Sequence, residues 1–159
     1  LKNKELLNLF FGTASQLDMK EERLTRRLHQ ISGKCFPQDT PREADEFAGL
    51  LAEDRLFAAA AAEKVTGFLL FQEVLDESEI HTVAVHPDFQ QRGQGSQLLE
   101  AYLKHAEKNG IAKVFLEVRC SNQAAIALYK KKGFRQLSKR KNYYQNPVED
   151  ALVMYWGEE

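Results

Sequence analysis

Residues 83–96 read Val-Ala-Val-His-Pro-Asp-Phe-Gln-Gln-Arg-Gly-Gln-Gly-Ser, and a helix-patterned stretch follows at once. Glycine lets a main chain approach a ligand closely. The first N–H groups of a helix have no partner inside it and can point at an anion. An apolar strand, a loop carrying Gly93 and Gly95, and a helix start therefore build a phosphate cradle. Two familiar phosphate loops do not fit. A dinucleotide fingerprint needs a third glycine in a tight strand–helix turn. Here Ser96-Gln97-Leu98 follows Gly95, and residues 86–92 lengthen the turn. The Gly-Lys-Ser/Thr of a nucleotide-triphosphatase loop is absent.

A second chemical signal is Glu117. It stands in the alternating run 112–118, where Leu116 and Val118 point to the opposite face. A carboxylate within a sheet is costly unless it is paired or lines a cleft. Pairing with Arg119 or simple solvation at a rim is one reading, and a place on the wall of a cleft is the other. His29, His81, His86 and His105 have no metal-ligand spacing among themselves or with Cys35 and Cys120, so no metal is expected.

The chain has 159 residues, room for one domain with one sizeable core, and a single domain over 1–159 is expected. Net charge is −1, which implies no whole-molecule attraction to nucleic acid. Charge is uneven, however. Residues 41–79 hold ten acidic and three basic residues, whereas 118–148 hold eight basic and no acidic ones. Two solvated faces account for this, as does an acidic half that receives a cationic substrate. No apolar run approaches the ~20 residues of a membrane span. Two distant cysteines and the lack of a secretory cleavage pattern point to reduced thiols and a cytoplasmic location. Leu1 in place of an initiator Met suggests a trimmed product.

Periodicity predicts the elements that position these groups. Strands are expected at 6–13, 55–61, 65–74, 79–85, 112–118, 134–140 and 149–156. A helix capped by Ser15 or Asp18 should run to about Gln30, ended by Phe36-Pro37. Thr40-Pro41 should start another, reaching Ala52. Further helices are expected over 96–109, ended by Gly110, and from the Ser121-Asn122 cap to about Lys132. A loop is expected at 142–147. Strands alternating with helices in the centre, flanked by hairpins, imply an α/β fold with a mixed sheet and helices on both faces.

In order, Val83–Val85, Gln90–Ser96, Leu116–Arg119, Ser121-Asn122, Ala125–Tyr129, Gly133-Phe134 and Asn142-Tyr143-Tyr144 resemble the GNAT superfamily of N-acetyltransferases. Within it they resemble most the RimI-type ribosomal-protein alanine N-acetyltransferases. About half the chain carries the resemblance. Two positions depart from it. Gln38 follows Phe36-Pro37 where Trp is common, and His81-Thr82 precedes the cradle where Asn is common.

The resemblance implies a central, mostly antiparallel sheet of about seven strands, splayed where acetyl-CoA binds. Backbone N–H groups of Gln91, Arg92, Gly93, Gln94, Gly95 and Ser96 would hold the diphosphate, with the Arg92 side chain as an outer contact. Val83, Ala84 and Val85 would pair with the pantetheine arm, and Asn122 would hydrogen-bond it. Glu117 matches the general base and Tyr129 the general acid, a phenol expected near its ordinary pKa of ~10. His81, Tyr143 and Tyr144 would face the acceptor. The implied acceptor is a protein N-terminus, foremost the N-terminal alanine of a small-subunit ribosomal protein. A lysine or small-molecule amine is the alternative, and a non-catalytic acyl-CoA-binding module a further one. No nucleic-acid or membrane partner is expected, and the chain is expected to be a monomer or weak dimer.

Overall fold

The computed structural model describes residues 9–37, 39, 42–61 and 64–158. Among them, seven strands are hydrogen-bonded in the order β1-β2-β3-β4-β5-β7-β6. They are β1 (Leu9–Thr13), β2 (Leu56–Ala61), β3 (Lys64–Val74), β4 (Glu77–Val85), β5 (Lys113–Arg119), β6 (Arg135–Tyr144) and β7 (Glu149–Gly157). The helices are α1 (Glu21–Cys35), α2 (Ala44–Ala52), α3 (Gln94–Lys108) and α4 (Gln123–Lys131). The β1–β2, β2–β3, β5–β7 and β6–β7 ladders are antiparallel. The β4–β5 ladder is parallel and pairs Glu77–Ile80 with Lys113–Leu116. It ends there, although β4 runs on to Val85 and β5 to Arg119. This is the mixed sheet that the alternation of elements predicts, and it is mostly antiparallel, as the resemblance implies.

Contacts divide the chain into two compact units. The first takes the chain up to Phe71 together with Thr82–Leu103. There β2 alternates its side chains between two covered faces. Leu56 and Ala58 join Leu24, Leu28 and Ile31 of α1, Phe47 of α2, and Val65, Phe68 and Leu70 of β3 in one core. Phe57 turns the other way, onto Tyr102 of α3, with ring centroids 5.7 Å apart. Leu24, Leu28 and Ile31 recur at helical spacing, and burying each contributes about 1.5–3 kcal/mol. The alanines Ala58–Ala61 are poor strand formers in isolation. Both neighbouring strands pair with them and all four are buried, so tertiary context overrides propensity.

The second unit takes Gln72–His81 and the chain from Lys104 onward. In β5, Val114, Leu116 and Val118 are buried, opposite Trp156, Met154 and Leu152 of β7. The other face carries Phe115 opposite Tyr155 and Glu117 opposite Val153, all partly exposed. Period-two alternation thus puts the Glu117 carboxylate on the open face of this half of the sheet.

Several boundaries differ from the sequence expectation. Ser15 lies in a short 3-10 turn (Ala14–Gln16), and neither it nor Asp18 caps α1. That helix starts after Lys20, where Glu21 and Glu22 complement the N-terminal dipole, and Ile31 carries it past Gln30 to Cys35. Glu43, reciprocally bonded with Glu46, caps α2. The expected cap Thr40-Pro41 and the first part of the predicted 6–13 strand lie outside the described residues. The expected loop at 142–147 is shorter, because β6 continues to Tyr144. Asn142 makes this possible. It adopts φ 52°, which Asn tolerates, and its N–H donates to Asp150 Oδ1 at 2.9 Å, so the strand resumes after an irregular segment.

Candidate functional site

In the first unit, the end of β4 leads into the cradle. Ala84 is buried, and Val83 and Val85 are half-buried. His86 and Pro87–Phe89 form a 3-10 turn, after which residues 90–93 bring the chain to α3. Gln91 (φ 61°) and Gly93 (φ 77°) both adopt left-handed backbone conformations. Such turns can gather successive N–H groups into a concavity around an anion. The Gln97 N–H donates to the Gly93 carbonyl, the first bond of α3. The N–H groups of Gln94, Gly95 and Ser96 therefore have no partner within the helix. A Cβ built on Gly95 meets only Val85 Cγ2, at 3.8 Å, so the packing of the chain does not itself demand glycine there. These residues fit a diphosphate.

Side chains fix the loop, some through partners that lie far apart in the sequence. Gln90 Nε2 donates to the Val85 carbonyl at 2.8 Å, and Cys35 Sγ donates to the same oxygen at 3.1 Å. Burial pushes the Cys35 thiol above its ordinary pKa, which favours the protonated, hydrogen-bonding form. Gln94 is buried, and its Oε1 accepts from Thr66 Oγ1 at 2.7 Å. Its Nε2 is buried with no hydrogen-bond partner among the described residues. The Arg92 guanidinium lies 5.8 Å from the Phe89 ring centroid, a local cation–π contact. Gly67 of β3 permits a close approach, since a Cβ there would stand 2.7 Å from the Ala84 carbonyl oxygen. Only the Gln90 position carried a sequence signal, through its place in the Gln-x-x-Gly-x-Gly pattern.

His86 shapes the turn. It is buried, and its Nδ1 accepts from the Asp88 N–H at 3.1 Å, which puts the ring proton on Nε2. Burial foremost, then the nearby Arg27 charge, lowers its pKa below the ordinary 6.5, against the pull of Asp88. A histidine with a depressed folded pKa adds stability above 6.5 and loses it as pH falls through the folded value. Denaturation at pH 7.5 and pH 5 should therefore show wild type losing more stability than His86→Asn. The Asn side chain can accept the same N–H without titrating. Equal losses in the two proteins would remove His86 as the acid-sensitive group of the turn.

In the second unit, Glu117 lines a pocket of about 430 Å³, with Gln72, Glu79, Phe115, Leu137, Arg140 and Val153 among its other walls. The expected alternative partner, Arg119, pairs instead with Glu149 at 3.5 Å and lies over the Tyr144 ring at 4.4 Å. Glu117 Oε1 forms an ion pair with Arg140 Nε at 2.9 Å. The Tyr143 hydroxyl donates to the same carboxylate, and this bond is the first cause of its raised pKa. Tyr143 and Tyr144 meet edge to face at 5.1 Å, on the end of β6 and not in a loop. Burial, then the Glu117 charge, pushes Tyr144 up to about 12. His81 is exposed on β4, with Nδ1 4.0 Å from Glu79 Oε1.

Tyr129 keeps part of its surface exposed and packs on Phe134 at 5.7 Å. Burial still pushes its phenol up to about 12, which corrects the expectation of an ordinary pKa. Asn122 is the N-cap of α4, and its Oδ1 accepts from the Ala125 N–H at 3.2 Å. That oxygen is thus committed to the helix, while the Nδ2 donor remains to serve a ligand. Among the described residues, no group of His, Cys, Asp and Glu could hold a metal ion, and no helix is long and apolar enough to cross a membrane.

The first unit thus holds an anion cradle, and the second a carboxylate with clustered phenols. Comparison with known proteins shows the family. The family model for Acetyltransferase (GNAT) matches residues 23–134. The chain is 46% identical over 93 residues to the ribosomal protein bS18-alanine N-acetyltransferase of Escherichia coli strain K12. That stretch covers 57% of this chain and 63% of the relative, less than two thirds of its length. The crystal structure of the ribosomal-protein-S18-alanine N-acetyltransferase from Escherichia coli superposes with a TM-score of 0.80 and 32% identity, covering 94% of each chain. Ard1 from Thermoplasma volcanium has the same fold, with a TM-score of 0.78 at 23% identity over 95% of this chain and 98% of its own. The chain belongs to the GNAT family of acetyltransferases.

Proposed function

We propose that this chain transfers an acetyl group from acetyl-CoA to the N-terminal α-amine of a protein, foremost the N-terminal alanine of a small-subunit ribosomal protein. The observation that carries the reading is the Glu117 carboxylate on the wall of a pocket, held by an ion pair and a hydrogen bond and partly open to solvent. Similarity to the Escherichia coli bS18-alanine enzyme supports the acceptor. We read the whole chain as a single catalytic domain.

Acetyl-CoA supplies a thioester, whose acyl carbon is open to attack by a neutral amine. The chain's residues do the rest. Main-chain N–H groups of Gln91–Ser96 bind the diphosphate, aided by the positive end of α3. The Val83–Val85 backbone aligns the pantetheine arm as an added strand, and Asn122 Nδ2 donates to it. A backbone N–H in β4 stabilises the charge developing on the carbonyl oxygen. Glu117 takes a proton from the amine, directly or through water. Tyr129 directs its hydroxyl at the departing sulfur. Its pKa of about 12 lies well above the ~8.5 of a thiol, which makes it a hydrogen-bond donor to the thiolate more than an outright acid. Tyr143 and Tyr144 flank the acceptor.

An α-amine suits a modest base. With a pKa near ~8, roughly a tenth of it is neutral at pH 7, whereas a lysine at ~10.4 is almost wholly protonated. CoA release should therefore be measured with peptides that differ only in their first residue, beside one whose sole amine is a lysine. Alanine-ended peptides should turn over fastest. Equal rates across the panel, or turnover on the lysine peptide alone, would refute N-terminal selectivity.

A further inference from the structure

We propose that Arg140 is a positioning residue for Glu117, holding one carboxylate oxygen so that the other is presented to the acceptor amine. The inference rests on Glu117 being the base. A glutamate side chain has three rotatable bonds, and an unanchored one spends little time in any single orientation. Here two donors converge on it from β6. Arg140 Nε reaches Oε1 at 2.9 Å, and the Tyr143 hydroxyl donates to the same group. The guanidinium in turn lies 5.6 Å from the Tyr143 ring centroid, so the two donors brace each other. This is the logic of a base oriented by a third group.

The backbone of β6 is built for this convergence. Arg140 sits opposite Ala151, on the same face as Val153 and Glu117. In a regular strand Tyr143, three residues on, would face the other side of the sheet. The register breaks between Arg140 and Tyr144, where four steps along β6 oppose two along β7. With Asn142 left-handed in the middle, Tyr143 turns back to the carboxylate. The Arg140 side chain is 59% exposed and that of Glu117 14%, so the pair is screened on one side and adds little to global stability. Its effect belongs to the geometry of the base.

Steady-state kinetics with acetyl-CoA and an alanine-ended peptide tests this. Arg140→Gln should lower kcat about tenfold or more, with acceptor KM and acetyl-CoA Kd within twofold of wild type. Arg140→Lys keeps the charge but not the guanidinium fork, so it should fall between the two. In a Glu117→Gln background, Arg140→Gln should change kcat less than twofold, because the group it orients is gone. A kcat within twofold of wild type for Arg140→Gln would overturn the proposal. So would a loss confined to acceptor KM, or losses that multiply in the double variant. Wild-type kcat in Glu117→Gln alone would instead refute the base assignment, and the proposal with it.

Discussion

Glu117→Gln is expected to lower kcat by about 10²–10⁴-fold, the usual contribution of a positioned acid or base. The amide keeps the shape and can still accept from Arg140 and Tyr143, but it cannot take a proton from an amine. Acetyl-CoA affinity should stay within about twofold, since the proposed diphosphate ligands are main-chain groups of residues 91–96. Thermal stability should change little. The variant leaves the Arg140 charge without its partner, but that side chain is more than half exposed. The lost pairing is then worth at most about 1 kcal/mol. Stopped assays of CoA release with saturating acceptor measure the rate, and calorimetric titration measures the affinity. A kcat loss under tenfold would remove Glu117 from the chemistry.

Gly95→Val should act in the opposite sense, through binding. A Cβ at Gly95 contacts only Val85 Cγ2 at an ordinary 3.8 Å, so the folded chain accommodates it. A branched side chain at the second residue of α3 would nevertheless crowd an anion seated on the helix N-terminus. Each charge-assisted hydrogen bond lost costs about 1.5–3 kcal/mol, or roughly 10- to 100-fold in Kd. Acetyl-CoA should bind about tenfold to a hundredfold more weakly, with a thermal midpoint near that of wild type. Unchanged affinity would show that the diphosphate does not sit on Gly95.

The two substitutions draw on parts of the molecule that differ in how openly the sequence displays them. The cradle is local. Gly93, Gly95 and the helix that follows lie within one short stretch, and the conformation that matters is set by neighbours along the chain. The glycine at 93 announces a positive φ, although the same conformation at Gln91 has no comparable marker. Helix α4 is equally local, with its cap at Asn122 and its stop at Gly133. That same Asn122 shows the limit of such reading. One side chain type serves both a helix cap and a ligand contact, and in the structure its oxygen serves the cap.

The surroundings of Glu117 are not local. Arg140 follows it by 23 positions and reaches it across β7, from a strand whose register breaks. Alternation could put the carboxylate on the open face, but nothing in the neighbourhood of Arg140 distinguishes it from Lys139 or Lys141. The same holds for Gln94, whose buried amide meets Thr66 from another strand. The rise of the Tyr129 phenol to about 12 is likewise a consequence of packing that residue type alone does not reveal. The elements and their order were legible because periodicity and capping are properties of short segments. Partners brought together by the sheet were not.

In the proposed site, main-chain N–H groups of residues 91–96 grip the diphosphate of acetyl-CoA. A crystal structure of the chain with bound coenzyme A tests it most directly. Diphosphate oxygens are expected within about 3 Å of the Gly93, Gly95 and Ser96 nitrogens, at the N-terminus of α3. A diphosphate bound anywhere else, with those nitrogens facing solvent, would contradict it.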